Sequence, residues 1–205
     1  MRRFLGLLAA FCIGWVGAAH AAAPKTVLVL GDSLSAAHNI AVEQGWVHLL
    51  EVRLAKMEPP WRVINASISG ETTASGRRHL PTLLETYRPA VVILELGAND
   101  GLRGLPLDAL KDNLAAMIDQ ARAAHAKVLL LGIELPINYG PRYRDGLRAI
   151  YTGLAREKGV ALVPFLLEGV ALDLTKMQDD GLHPTAAGEP AVLATVWSAL
   201  EPLLR

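Results

Sequence analysis

Five short aliphatic runs punctuate the chain: Thr26 to Leu30, Arg62 to Ile64, Ala90 to Leu96, Lys127 to Ile133 and Val160 to Val163. Their apolar residues are consecutive rather than alternating, the pattern of strands buried on both faces, as in a parallel sheet. Between them, apolar residues recur at spacings of three and four. Trp46, Leu50, Leu54 and Met57 make one stripe; Leu107, Leu110, Leu114, Met117 and Ala121 make another, on a helix ending near His125. Leu147, Ile150, Tyr151 and Leu154 repeat the device, as do Leu193, Val196, Trp197, Leu200 and Leu204, and a further helix is expected over Gly76 to Tyr87. Such stripes are core faces. Strands alternating with helices predict an α/β fold, a three-layer α/β/α sandwich around a five-stranded parallel sheet. In such sheets ligands bind beyond the carboxyl ends of the strands.

The first residues follow a different pattern. Met1-Arg2-Arg3 is basic, Phe4 to Gly17 is apolar, and Ala19-His20-Ala21 has small residues flanking one position. This reads as a secretory signal peptide over residues 1–23, leaving one domain over 24–205. The apolar run is shorter than the roughly 20 residues a bilayer requires, so no stable membrane anchor is expected after cleavage. Export across an inner membrane to the periplasm is the expected route. Cys12, the only cysteine, lies in that run, so the exported chain has neither a disulfide nor a thiolate nucleophile.

With 52% apolar and 20% charged residues, the chain has material for one substantial core. Its 20 basic and 20 acidic residues balance, and loss of Arg2 and Arg3 would leave a net charge of −2. Neither a nucleic-acid partner nor a basic membrane patch fits that balance.

Polar residues gather where the predicted strands end. The first strand runs into Gly31-Asp32-Ser33-Leu34-Ser35, the second into Asn65-Ala66-Ser67-Ile68-Ser69-Gly70-Glu71, and the third into Gly97-Ala98-Asn99-Asp100-Gly101. Asp179-Asp180-Gly181-Leu182-His183-Pro184 precedes the last helix. Ser33 could present a nucleophilic hydroxyl above the sheet, or it or Asp32 could cap a helix. The Gly-x-Ser-x-Gly elbow of the α/β-hydrolases is absent.

A serine nucleophile needs a base. His48 lies within a helical stripe, His125 at a helix end, and His79 on the surface; His38 is near Ser33 but has no carboxylate placed to orient it. His183 follows Asp180 by three residues across Gly181, a spacing that lets the carboxylate reach Nδ1 while Nε2 faces a serine. Alternatively, Asp180 only shapes the turn. Gly70 and Asn99 could supply oxyanion donors, or be turn residues.

Taken in order, these blocks resemble those of the SGNH (GDSL) hydrolase family: Gly31-Asp32-Ser33-Leu34, Gly70, Gly97-Ala98-Asn99-Asp100 and Asp180-Gly181-Leu182-His183. The resemblance runs from about residue 26 to the end, and is greatest to its secreted bacterial acyl-CoA thioesterases, lysophospholipases and arylesterases. It implies a flavodoxin-like sandwich and a serine hydrolase of acyl esters and thioesters that works through an acyl-enzyme on Ser33. His183 would be the base and Asp180 its orienting partner, with an oxyanion hole from the Ser33 and Gly70 N–H groups and the Asn99 amide. No metal or cofactor is implied. Ala37-His38 departs from the glycine and aromatic pair common after the nucleophile, and Glu71 replaces a common aspartate.

The sheet-end loops also supply Leu34, Leu102, Leu105, Pro106, Leu135, Pro136 and Ile137, expected to line an apolar site for a small acyl ester or thioester in a monomeric enzyme. Two rivals are a metal-dependent phosphoesterase with Asp32, Asn99, Asp100 and His183 as ligands, and a non-catalytic flavodoxin-like binding protein. The first has few ligands for metal-assisted hydrolysis.

Overall fold

A computed structural model describes residues 24–205; the segment read as a signal peptide lies outside them. Five parallel strands, β1 (Thr26–Gly31), β2 (Arg62–Asn65), β3 (Val91–Glu95), β4 (Lys127–Leu131) and β5 (Ala161–Val163), form one sheet in the order β2-β1-β3-β4-β5. Helices α1 (Trp46–Leu54), α2 (Thr73–Tyr87), α3 (Ala98–Leu102), α4 (Leu107–Ala123), α5 (Pro141–Lys158) and α6 (Glu189–Leu200) connect or follow them.

The unbroken aliphatic runs are explained by two cores, one on each face. Val27, Val29, Val91, Ile93, Leu129 and Leu131 pack with α1 and α6, through Trp46, Leu50, Leu54, Val192, Val196 and Leu200. The intervening Leu28, Leu30, Val92, Leu94, Val128 and Leu130 pack against α2, α4 and α5. Successive strand side chains point to opposite faces, so a strand covered on both sides needs an apolar residue at every position.

Three elements differ from the expectation, the first being α1, which stops at Leu54, short of Met57 in its predicted stripe. The segment after β3 is not a plain loop: Ala98–Leu102 makes a single helical turn. Gly97 starts it at φ +127, where a Cβ would run into the Tyr151 hydroxyl, so only glycine allows the chain to turn this sharply. Asp100 then accepts from the Thr73 N–H at 2.8 Å and from Thr73 Oγ1 at 2.6 Å, tying this turn to the start of α2. At the carboxyl terminus the α-helical stripe stops at Leu200, and Glu201–Leu204 is a 3-10 turn. Pro202 has no N–H to continue the α-helical ladder.

β1 lies between β2 and β3, so the chain leaves β1 in one direction and later returns to its other side. The carboxyl ends of β1 and β3 therefore flank the switch point at which open α/β sheets form their ligand crevice.

Candidate active site

Gly31, the last residue of β1, is in register with Glu95, the last of β3. A Cβ on Gly31 would lie 2.7 Å from Glu95 Oε2, so a side chain there would displace the carboxyl group. Glu95 Oε2 accepts from the Asp32 N–H at 3.1 Å and from Ser35 Oγ at 2.8 Å. The turn carrying Ser33 thus sits on a buried carboxyl. Asp32, also fully buried, accepts from the Leu34 N–H at 3.1 Å through Oδ1 and from the Asn99 amide at 3.0 Å through Oδ2. No helix begins at this point, so neither Asp32 nor Ser33 is a helix cap; Asp32 closes a turn on the Leu34 N–H instead.

Both buried carboxyls are raised above the usual carboxylate range. Burial, reinforced by the charge of Asp32, pushes Glu95 well above the usual carboxylate range and favours its neutral acid. Burial also raises Asp32, to about 6, against the opposing pull of the Leu34 N–H, the Asn99 amide and His183. Sequence reasoning had no role for Glu95; the signal was a lone charge closing an otherwise aliphatic strand.

Ser33 and His183, 150 residues apart, meet across the sheet end: His183 Nε2 is 2.8 Å from Ser33 Oγ. His183 Nδ1 is 2.7 Å from Asp180 Oδ2, and Asp180 Oδ1 accepts from the Leu182 and His183 N–H groups at 2.9 and 3.0 Å. Burial works to raise the Asp180 pKa, but these backbone donors and the imidazole outweigh it and hold the carboxyl at about 2. An ionised Asp180 favours the tautomer with its proton on Nδ1, leaving the Nε2 lone pair toward Ser33. Asp179 is exposed. The His183 loop is pinned by Gln178, whose side-chain amide donates to the carbonyls of His38 and Pro184, both at 2.8 Å.

Asn99 sits in the first turn of α3, and one hydrogen of its amide is engaged by Asp32. Gly70 occupies an exposed turn after β2 at φ +82, and its carbonyl accepts from Arg103 at 2.9 Å. His48, His79 and His125 sit in three other settings. His48 is 3.4 Å from Glu51, and His79 Nδ1 is 2.8 Å from the buried Glu71. His125 follows α4 in the left-handed region.

A cavity of about 100 Å³ opens beside Ser33, Asn99 and His183. Of the apolar residues expected around it, Leu34, Leu102, Leu135 and Pro136 line it. Leu105 and Pro106 do not: the Leu105 N–H turns back to the Asp100 carbonyl, and the Leu105 carbonyl accepts from Tyr143. Ile137 lies farther out, on a larger groove of about 900 Å³ that shares Leu135, Pro136, Phe165, Leu167 and Leu182 with the cavity. Phe165, Leu166 and Leu167, missed in the sequence, follow β5 and so belong to the same sheet edge.

The set expected of a metal phosphoesterase is not assembled. Asp100 is committed to Thr73, and Asp32 to Leu34 and Asn99. Among the described residues, the one group of three or more His, Cys, Asp or Glu side chains spaced to hold an ion is His38, Asp180 and His183.

The chain is 51% identical to Esterase TesA of Pseudomonas aeruginosa over 198 residues, covering 97% of this chain and 98% of that protein. It is 42% identical to Thioesterase 1/protease 1/lysophospholipase L1 of Escherichia coli K12, covering 90% and 87%. The crystal structure of TesA superposes with a TM-score of 0.85 at 52% identity, covering 87% of this chain and 99% of that one. A psychrotrophic esterase, EstA from Pseudoalteromonas sp., whose structure is inhibited by monoethylphosphonate, gives 0.82 at 39% identity, covering 88% and 98%. With the pattern of the GDSL-like Lipase/Acylhydrolase family matched over residues 29–190, this chain belongs to that family, the SGNH hydrolases.

Proposed function

We propose that this acyl hydrolase cleaves esters and thioesters in two steps through an acyl-enzyme on Ser33. The observation that carries the reading is the continuous relay from Ser33 Oγ to His183 Nε2 at 2.8 Å and from His183 Nδ1 to Asp180 at 2.7 Å, beside an apolar cavity. In the first step Oγ attacks the acyl carbonyl as its proton passes to Nε2. Asp180 stays ionised and stabilises the imidazolium. The imidazolium then protonates the leaving alcohol or thiol as the carbonyl–leaving-group bond breaks. Water, deprotonated by the same Nε2, attacks the acyl-enzyme, and the proton returns to Ser33 as the acid leaves.

Negative charge on the carbonyl oxygen needs donors in place beforehand. The Asn99 amide nitrogen carries two hydrogens, and with one on Asp32 the other is available to the substrate. The Ser33 and Gly70 N–H groups would complete the hole. Leu34, Leu102, Leu135 and Pro136 would bury the first carbons of the acyl chain, and the larger groove would receive the remainder. Arylesterase, acyl-CoA thioesterase and lysophospholipase activities all fit this arrangement. The basic, apolar, small-residue pattern of residues 1–23 supports export to the periplasm, with the mature enzyme acting as a monomer.

A fluorophosphonate probe followed by peptide mass spectrometry tests the nucleophile: Ser33 should carry the label, and label on Ser35 or Ser69 would overturn the assignment. A hydrolysis panel of p-nitrophenyl acetate to palmitate, with acyl-CoA and lysophospholipid alongside, then ranks the substrates.

A further inference from the structure

His38 stands close after Ser33 in the chain, and its ring lies against that of His183, centroids 4.3 Å apart and planes tilted by 36°. Its backbone is held on three sides. Its N–H reaches the Ser33 carbonyl at 3.4 Å, its carbonyl accepts from Gln178, and its neighbours Ala37 and Asn39 both adopt left-handed backbone at φ +58 and +56. Left-handed backbone is unfavourable at a non-glycine residue such as Ala37, and here it fixes the position of the ring that follows. Any aromatic ring could make this contact; an imidazole also brings a nitrogen lone pair.

We propose that His38, Asp180 and His183 bind a zinc ion that reversibly inhibits the enzyme. One donor atom from each, two imidazole nitrogens and a carboxylate oxygen, lie within 4.8 Å of one another. Zinc takes such nitrogen and oxygen donors at about 2.0 to 2.2 Å in tetrahedral geometry, and three protein ligands leave the fourth position for water. The donors must close in by an ångström or so. His38 is only half-buried, so its ring has room to turn toward the ion. Asp180 stays anchored throughout, because Oδ1 holds two backbone N–H groups and only Oδ2 must exchange the imidazole for the ion.

Inhibition follows from the coordination and rests on the role given to His183 above. If Nε2 is the ligand, the lone pair that accepts the Ser33 proton is consumed. If Nδ1 is the ligand, the neutral imidazole carries its one proton on Nε2, which then has no lone pair for the Ser33 proton, and Asp180 bonds to the ion rather than to the ring. The base is lost either way. The pairs His48–Glu51 and His79–Glu71 offer only two donors each.

Zinc chloride titration by calorimetry, in buffer free of phosphate and chelator, tests the site directly, alongside p-nitrophenyl acetate hydrolysis. The expected result is one ion per chain, with inhibition over the same concentration range and full recovery on adding EDTA. Magnesium and calcium, which prefer oxygen cages, should not substitute. His38→Phe keeps the ring contact and removes the donor. It should raise both the dissociation constant and the half-inhibitory zinc concentration by about tenfold or more, since even residues outside the first coordination sphere cost 10- to 100-fold. His38→Gln serves if the phenylalanine variant does not fold by circular dichroism, and His79→Gln should behave as wild type. Wild-type protein that binds no zinc, or a His38 variant binding it as tightly as wild type, overturns the proposal. Stoichiometric, His38-dependent binding without inhibition would instead count against His183 as the base.

Discussion

The side-chain amide of Asn99 donates to Asp32 Oδ2 at 3.0 Å, joining the turn after β3 to the turn that carries Ser33. Behind this contact Glu95, in register with Gly31, accepts from the Asp32 N–H. A buried acid thus sets the nucleophile turn, and that turn's aspartate fixes the rotamer of the amide. Asn99→Ala should lower kcat by roughly 10²- to 10³-fold with little change in KM, because the lost donor acts mainly once charge develops. Asp32→Asn, which leaves Asn99 in place but puts an N–H donor among donors, should also reduce kcat rather than raise KM. Steady-state kinetics on one short ester separates the two parameters.

The two adjacent carboxylates of the last loop should behave very differently. Asp180→Asn retains the fold but favours the wrong imidazole tautomer, which in a triad costs up to about 10⁴ in kcat. Exposed Asp179, replaced by Asn, should cost little. Both variants are to be assayed together, with circular dichroism as the folding control; an inactive Asp179→Asn beside an active Asp180→Asn would reverse the assignment.

Stability should fall between acid and neutral pH for an identifiable reason. Glu189, buried where its carboxylate accepts from the Trp46 N–H at 2.8 Å, is raised to about 7 by burial, against the pull of that N–H. A carboxyl whose folded value lies above its unfolded one binds protons more tightly in the native state, so native stability declines as pH rises from about 4.5 through 7. Asp32, raised to about 6, has the same sign, whereas Asp180, lowered to about 2, stabilises above the unfolded value and loses that contribution only in acid. Glu189→Gln keeps an acceptor for Trp46 without the ionisation penalty. Its Tm relative to wild type should therefore be higher at pH 8 than at pH 5, as read by thermal melts at both.

Leu102 ends α3 and lines the small cavity beside Ser33. Leu102→Trp should fill it and select against longer acyl chains. Each methylene denied burial forfeits about 0.8 kcal/mol, or roughly fourfold in kcat/KM. The ratio of p-nitrophenyl butyrate to acetate hydrolysis should fall accordingly; an unchanged ratio would place the acyl chain elsewhere.

Information carried by neighbours along the chain was legible in the sequence alone. Consecutive aliphatic residues specify strands buried on both faces, and stripes at three and four specify helices, because both follow from backbone periodicity. The order of strands and helices and the four polar blocks were enough to point to the family and to Ser33, Asn99, Asp180 and His183. Other relationships depended on separations that no local pattern encodes. Glu95 lies under the Ser33 turn because β1 and β3 pair in one particular register, with Gly31 opposite Glu95. Leu105 and Pro106 leave the cavity because a helical turn stabilised by Gly97 and Asp100 redirects the chain. His38 shows the difference most directly: Asp180 and His183 lie more than 140 residues away in sequence, and it meets them only when two loops fold over the same sheet edge. Periodicity is fixed by the backbone, but which side chains share a few ångströms of space is decided by register and close packing, and only the assembled chain contains both.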